Sequence, residues 1–217
     1  MNLVRSVLAT SILFAATSSY GRDLNLGFSA GIHDGKIDNS NKQKFSSTSA
    51  KASLHTPLNE FVSVGLTLGT EVTDSNSQAY NSEGYGQIED TSIHIRVSAR
   101  DVSAEDICLE AKFSTPEPIV NGTLYPYFKV GRTLWSSYTY KGRISLESLD
   151  YDYTYKGTQS GYTYCLGTTF NLDDKLTFSA EIESTKKEIL AKSTLSDAEL
   201  EGDIKSVGLN LGLSVKV

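Results

Sequence analysis

The segment Ser206-Val207-Gly208-Leu209-Asn210-Leu211-Gly212-Leu213-Ser214-Val215-Lys216-Val217 decides the fold. Every second residue is Val or Leu, and each residue between them is small or polar. An extended chain points successive side chains to opposite faces, so this is a strand with one apolar and one polar face. The same period of two runs through Leu24, Leu26, Phe28, Ala30 and Ile32, set against Asn25, Gly27, Ser29, Gly31 and His33. It returns in Val62, Val64, Leu66 and Leu68, set against Ser63, Gly65, Thr67 and Gly69. A period of two repeated along the chain specifies a sheet.

Between the alternating runs, connections come in two lengths. Turn formers make short ones at 56–59, 116–122 and 171–174. Longer polar stretches lie at 34–43, 71–90, 137–158 and 184–203 and read as loops. Long and short alternate in order, which predicts eight strands at 23–33, 44–55, 61–70, 91–113, 123–136, 159–170, 175–183 and 204–217. The fourth is longer than a bilayer requires at ~3.3 Å per residue. Its phase breaks at Asp101, Ser103 and Glu105, so 105–113 is read as the membrane part. Residues 91–99 are then an extension above the bilayer, past a bulge. The expected fold is all-β: a closed, antiparallel, up-and-down transmembrane β-barrel of eight strands.

Alternation alone leaves open which face points inward. A soluble, lipocalin-like periplasmic carrier would hide the apolar face around a ligand, whereas a membrane barrel turns it toward lipid. The polar face carries Gly27, Gly31, Gly65, Gly69, Gly131, Gly167, Gly208 and Gly212, too small a set for a solvated exterior and suited to a narrow lumen. Charges of both signs share that face: Glu110, Lys112, Lys129, Glu181 and Glu183. Facing inward they form an interior charge network, with Glu181 near Lys129 and Glu110 near Lys112, since a buried charge requires a partner. Tyr125, Tyr127, Trp135, Tyr138, Tyr140, Tyr162 and Tyr164 flank the fifth and sixth strands, as an aromatic girdle would.

The N-terminus reads as an address. Arg5 precedes the apolar run Val7 to Ala16, and small residues follow at 17–19 and 21. That layout predicts a cleaved signal peptide over 1–21, with the barrel over 22–217. Export places Cys108 and Cys165 in an oxidising compartment. Both fall on the inward phase, but on strands separated by a third, a spacing beyond the usual disulfide range, so either they stay two buried thiols or the strand count over 91–113 differs. The net charge of −6 and the lack of a Lys/Arg cluster argue against nucleic acid as a partner. Mean hydropathy is −0.25, and no run approaches the ~20 apolar residues of a spanning helix.

Three stretches resemble the OmpA/OmpX-like family of small eight-stranded outer-membrane barrels. Leu124-Tyr125-Pro126-Tyr127-Phe128-Lys129-Val130-Gly131 is similar to its "PY…G" strand. The segments 160–167 and 176–181, ending in an inward Glu181, are similar to the hairpin that follows. The resemblance implies residence in the bacterial outer membrane among lipid and lipopolysaccharide, after assembly by the barrel-insertion machinery. Family members usually end in Phe or Trp, whereas this sequence ends in Val217.

Chemistry-bearing motifs are scarce. His33, His55 and His94 show no Ser or acidic partner at a convincing sequence spacing, and phosphate-loop, GxSxG and HExxH patterns do not occur. No catalytic residue, cofactor or metal is expected. The expected function is a non-enzymatic membrane anchor presenting surface loops to an unknown ligand. Tyr138, Tyr140, Tyr151, Tyr153 and Tyr155 are the candidate loop contacts, because exposed aromatics beside charges favour recognition. The alternatives are a narrow pore, a lipid-modifying barrel enzyme and the periplasmic carrier.

Overall fold

The computed structural model describes residues 24–38, 43–73, 82–88, 91–119, 123–146, 149–196 and 199–217. The expected signal peptide lies outside them. Nine strands are present among the described residues: β1 (Asn25–Asp38), β2 (Gln43–Pro57), β3 (Val62–Thr73), β4 (Ser82–Ile88), β5 (Thr91–Ser114), β6 (Leu124–Leu146), β7 (Leu149–Asn171), β8 (Leu176–Ser193) and β9 (Glu199–Lys216). Neighbours pair antiparallel in the order β3-β2-β1-β9-β8-β7-β6-β5-β4, and a β3–β5 pairing closes the ring. β3 and β4 occupy the same edge of β5: β3 lies against Val102 to Phe113, and β4 against Thr91 to Val97. The ring is therefore eight antiparallel strands, with β4 continuing the position of β3 at the outer end. Closure leaves no strand edge unpaired in the lipid-facing zone, which a hydrocarbon environment demands.

Both ends of the barrel sequence meet at the short-turn end, where Val217 N donates to Leu24 O at 2.8 Å. Two side chains shape turns there. Asn59 Oδ1 accepts from Phe61 N and Val62 N at 2.9 and 2.8 Å, and Asp173 Oδ1 accepts from Lys175 N and Leu176 N at 2.7 Å each. Short turns mark the periplasmic end of an outer-membrane barrel.

Leu209, Leu211 and Leu213 point away from the barrel axis, with exposures of 48%, 49% and 49%. Phe28, Ile32, Leu109, Phe128, Leu166 and Ile182 join them on the outer surface, while Asn210, Glu181, Glu183, Thr163 and Lys129 are buried within. Apolar side chains face outward and polar ones inward, so the carrier alternative is excluded.

Three expectations need correction. The polar stretches at 34–43, 137–158 and 184–203 are mostly strand, and 71–90 contains β4. They read as loops because strands that rise above the membrane lose their apolar outer stripe. β5, β6 and β7 run 24, 23 and 23 residues, although ~9–11 span a bilayer. The expected bulge near the top of the fourth predicted strand is present as a register slip between Ala99 and Asp101. A second slip went unforeseen: Ile107 faces Trp135 while Cys108 faces Thr133, so Leu134 is the inserted residue. Leu134 and Trp135 both point outward, and the inward phase of β6 switches from odd to even numbers. Tyr138 and Tyr140, expected on the surface, are consequently buried inside, with Tyr138 at 2% exposure. Tyr127 also faces inward and leaves the proposed girdle, whereas Trp135, Tyr162 and Tyr164 are exposed on the outer face.

Candidate functional site

The lumen is stratified. At the periplasmic end a pocket of about 270 Å³ opens between strand ends, lined by His55, Lys112, Tyr127, Lys129 and Glu181 among others. Lys112 Nζ rests 4.0 Å from the centre of the Tyr127 ring rather than beside Glu110, contrary to the sequence expectation. A good cation–π contact lets an ammonium lie partly desolvated without a carboxylate.

The middle tier is an ion-pair network. Lys129 Nζ lies 3.2 Å from Glu181 and 3.6 Å from Glu110, and His55 Nε2 stands 3.3 Å from the same Glu110 oxygen. Tyr127 Oη donates to Glu181 at 2.8 Å. Lys51 pairs with Glu183. Asn210 Nδ2 donates to Glu181 at 3.3 Å and to Glu183 at 3.1 Å, tying the two halves together. The sequence identified the Glu181–Lys129 pair. It missed Lys51, His55, Tyr127 and Asn210, although each sits on the inward phase of its own strand. Higher up, Lys187 Nζ bonds Asp106 at 2.8 Å and lies 3.8 Å from Glu71, whose carboxylate accepts from Ser47 Oγ at 2.6 Å. The pocket lined by Lys51, Glu71, Asp106, Glu183 and Lys187 has a volume of only about 20 Å³.

Above the charges, interior polarity reverses. Phe45, Val102, Ala104, Tyr138, Tyr140, Ile189, Ala191 and Ile204 form an apolar core inside the barrel, with Tyr153 and Tyr155 packed against it. The Tyr140 and Tyr153 hydroxyls are 3.0 Å apart, and their ring centres are 5.7 Å apart. Voids near this core shrink to about 10 Å³. Outward residues at the same height on β8 are Lys186, Glu188, Leu190 and Lys192, three of them charged. This part folds by the rule of a water-soluble protein, and it stoppers the polar lumen beneath. Of the five tyrosines expected as loop contacts, only Tyr151 is largely exposed, at 54%. It lies near the β6–β7 tip, where Arg143 bonds Asp150 at 2.7 Å and Asp152 at 2.9 Å.

Two histidine contacts depart from the sequence reading, that of His55 with Glu110 and one at His33. His33 Nε2 and Ser49 Oγ are 2.9 Å apart, a His–Ser pair created by the β1–β2 pairing and invisible in linear spacing. The Ser49 hydroxyl also lies 3.5 Å from Asn210 Oδ1. Cys108 and Cys165 form no disulfide and are buried on β5 and β7, with β6 between them. Cys165, Glu181 and Glu183 bring candidate metal-ligand atoms within 4.8 Å of one another. Lys51 and Lys129 already neutralise those carboxylates, so the charge that a cation would supply is met by the protein.

The sequence profile described as "Outer membrane protein beta-barrel domain" matches residues 6–216. No significantly similar sequence is found among curated proteins. Among solved structures the chain is similar to Neisserial surface protein A (NspA), at 13% identity and a TM-score of 0.47, covering 88% of this chain and 97% of that one. It is also similar to Ail, the attachment invasion locus protein of Yersinia pestis, at 13% identity and a TM-score of 0.44, covering 90% and 99%. The Escherichia coli outer membrane protease OmpT is similar at 9% identity and a TM-score of 0.41, covering 90% and 97%. None of these is near enough in sequence to transfer a ligand or an activity.

Proposed function

The chain belongs to the outer membrane protein beta-barrel domain family and is a small barrel of the bacterial outer membrane; from that premise we propose that it is a non-enzymatic anchor that carries rigid hairpins above the membrane for surface interaction. One observation carries this reading: the barrel is stoppered twice, by the ion-pair network and by the apolar core above it. A conduit has no use for such a core, whereas a platform does, because it stiffens β5, β6 and β7 where they leave the lipid. The presented surface is the β6–β7 tip, with Tyr151, Arg143, Asp150 and Asp152. Tyr138, Tyr140, Tyr153 and Tyr155 support that tip from within.

The test replaces residues 142–151 with an Asn-Gly turn and compares adhesion of expressing cells to epithelial monolayers and to each other. Loss of either by about tenfold, with heat-modifiable gel mobility retained, is the expected result. Unchanged adhesion and self-association of a folded variant contradicts the reading. The His33–Ser49 contact favours a second reading, a lipid-modifying enzyme. Against it stands the lumen pocket that holds both groups, about 20 Å³ and too small for a lipid ester, while the groove of about 670 Å³ that His33 also lines does not include Ser49. Accordingly Ser49→Ala is expected to leave the lipid A of expressing cells unchanged by mass spectrometry.

A further inference from the structure

Below the ion pairs the lumen widens into a cup that opens between the short turns, with a volume of about 270 Å³ against about 20 Å³ for the pocket above. Its wall is small and polar. Ser29, Ser53, Ser63, Ser114, Ser179 and Ser214 line it, one from each of six strands. They lie on the inward phase, since Phe28, Phe113 and Leu213 beside them are exposed on the outer face. Among the described residues none of these hydroxyls makes a hydrogen bond. Asn25 and Asn171, at strand ends, add two amides to the lining.

One cation stands in this wall without an anionic partner. Lys112 is partly buried, and among the described residues its ammonium makes no hydrogen bond or ion pair beyond the contact with the Tyr127 ring. On the flanking strands it stands opposite Ser63 and Lys129. Like charges placed directly opposite destabilise a sheet, so Lys112 is costly in this position. The nearby carboxylates are engaged elsewhere. Glu181 accepts from Tyr127, Lys129 and Asn210, and Glu110 lies against Lys129 and His55. Glu60, the other carboxylate in the lining, is exposed on the β2–β3 turn.

An ammonium carries three N–H donors, more than one ring face can take up. A lysine among free hydroxyls suits an oxyanion whose body also carries hydroxyl groups. The carboxylate takes the charge-assisted bonds, while serines can both donate and accept. An anion beside Lys112 also relieves its repulsion from Lys129. The cup lies just below the usual ~300–1,000 Å³ of small-molecule sites, which limits the occupant to roughly the size of a sugar ring. We propose that it binds a small hydroxylated carboxylate from the periplasm, with the carboxylate on Lys112 and the hydroxyls among the serines. The cup lies at the opposite end of the barrel from the β6–β7 tip, and the proposal is independent of the hairpin-presentation reading.

The test titrates the full-length protein, refolded in dodecyl maltoside, with three probes and reads saturation-transfer NMR. Glucuronate offers both charge and hydroxyls, glucose the hydroxyls alone and acetate the charge alone. Wild type is expected to give a saturable glucuronate signal, with glucose and acetate each at least about tenfold weaker. K112Q is expected to lose at least about tenfold in glucuronate affinity. Ser63→Phe, which fills the cup beside Lys112, is expected to lose binding as well. Heat-modifiable mobility checks that each variant is folded; Ser63→Phe decides if K112Q is not, and the wild-type comparison stands without either. Absence of a saturable glucuronate signal from wild type overturns the proposal, as does unchanged affinity in a folded variant. So does acetate binding as tightly as glucuronate, which marks a bare anion site, or glucose doing so, which marks a neutral sugar site.

Discussion

Lys129 stands between two carboxylates, and removing it strands both in a lumen with little water to hydrate them. Lys129→Met is expected to destabilise the barrel by about 3–5 kcal/mol, read from urea unfolding in lipid vesicles. Adding Glu181→Gln should recover part of that loss, because one stranded charge is then gone. No change on Lys129→Met would mean that the network adds nothing to stability. Gly31 is held to its identity by a neighbour: an added Cβ would collide with the Asn210 side chain and lie 2.8 Å from Leu209 O. Gly31→Ala should therefore push the Asn210 amide off Glu181 and Glu183 and lower the same unfolding midpoint. At the periplasmic turn, two backbone N–H groups hold the Asp173 carboxyl below its ordinary value of 3.8. A carboxyl depressed on folding contributes stability above its unfolded value and loses it as pH falls through the folded one. Asp173→Asn should lower the midpoint at pH 7, and its gap from wild type should close below about pH 4. At this scale the sequence revealed which residues face inward within the membrane. Which of them touch was hidden, because Lys51 and Glu183 meet only across the closed ring, 132 residues apart.

Strands were legible wherever a bilayer imposes an apolar stripe, and illegible where it stops. Val207 to Val217 announces itself, since lipid demands Val and Leu at every outward position. On β8, the inward Thr185, Lys187, Ile189 and Ala191 alternate with outward Lys186, Glu188, Leu190 and Lys192. There the contrast between faces fades and then inverts, so the segment passes for a polar loop. A single inserted residue on β6 had the largest consequence. Leu134 lies beside Trp135 on the outer face, and the bulge turns Tyr138 and Tyr140 into the core. Sequence alternation gives no warning, because Leu134 and Trp135 in succession fit either phase. Deleting Leu134 should restore a regular ladder and swing both tyrosines outward. The outer hairpins would then become protease-sensitive while the membrane part stays heat-modifiable. Unaltered trypsin resistance above the membrane would show that the bulge does not set the phase.

At the scale of the whole molecule, two opposite solvation rules act on one continuous sheet. Within the membrane the inside is polar and the outside apolar; above it, the inside is apolar and the outside charged. The first rule was readable as a β-barrel from glycine and charge on one face, and the ring of eight confirms it. The second depends on where the membrane ends, which composition does not state. With charges below and an apolar plug above, the protein in planar bilayers should show no stepwise conductance at moderate voltage. Regular openings of uniform size would contradict a stoppered lumen. The most direct test of the account labels β9 one position at a time with a nitroxide, on a background with Cys108 and Cys165 replaced by Ser, in lipid vesicles. Collision with dissolved oxygen should peak at 207, 209, 211 and 213 and drop at 208, 210 and 212. A profile with the opposite phase, or with no period of two, would contradict it.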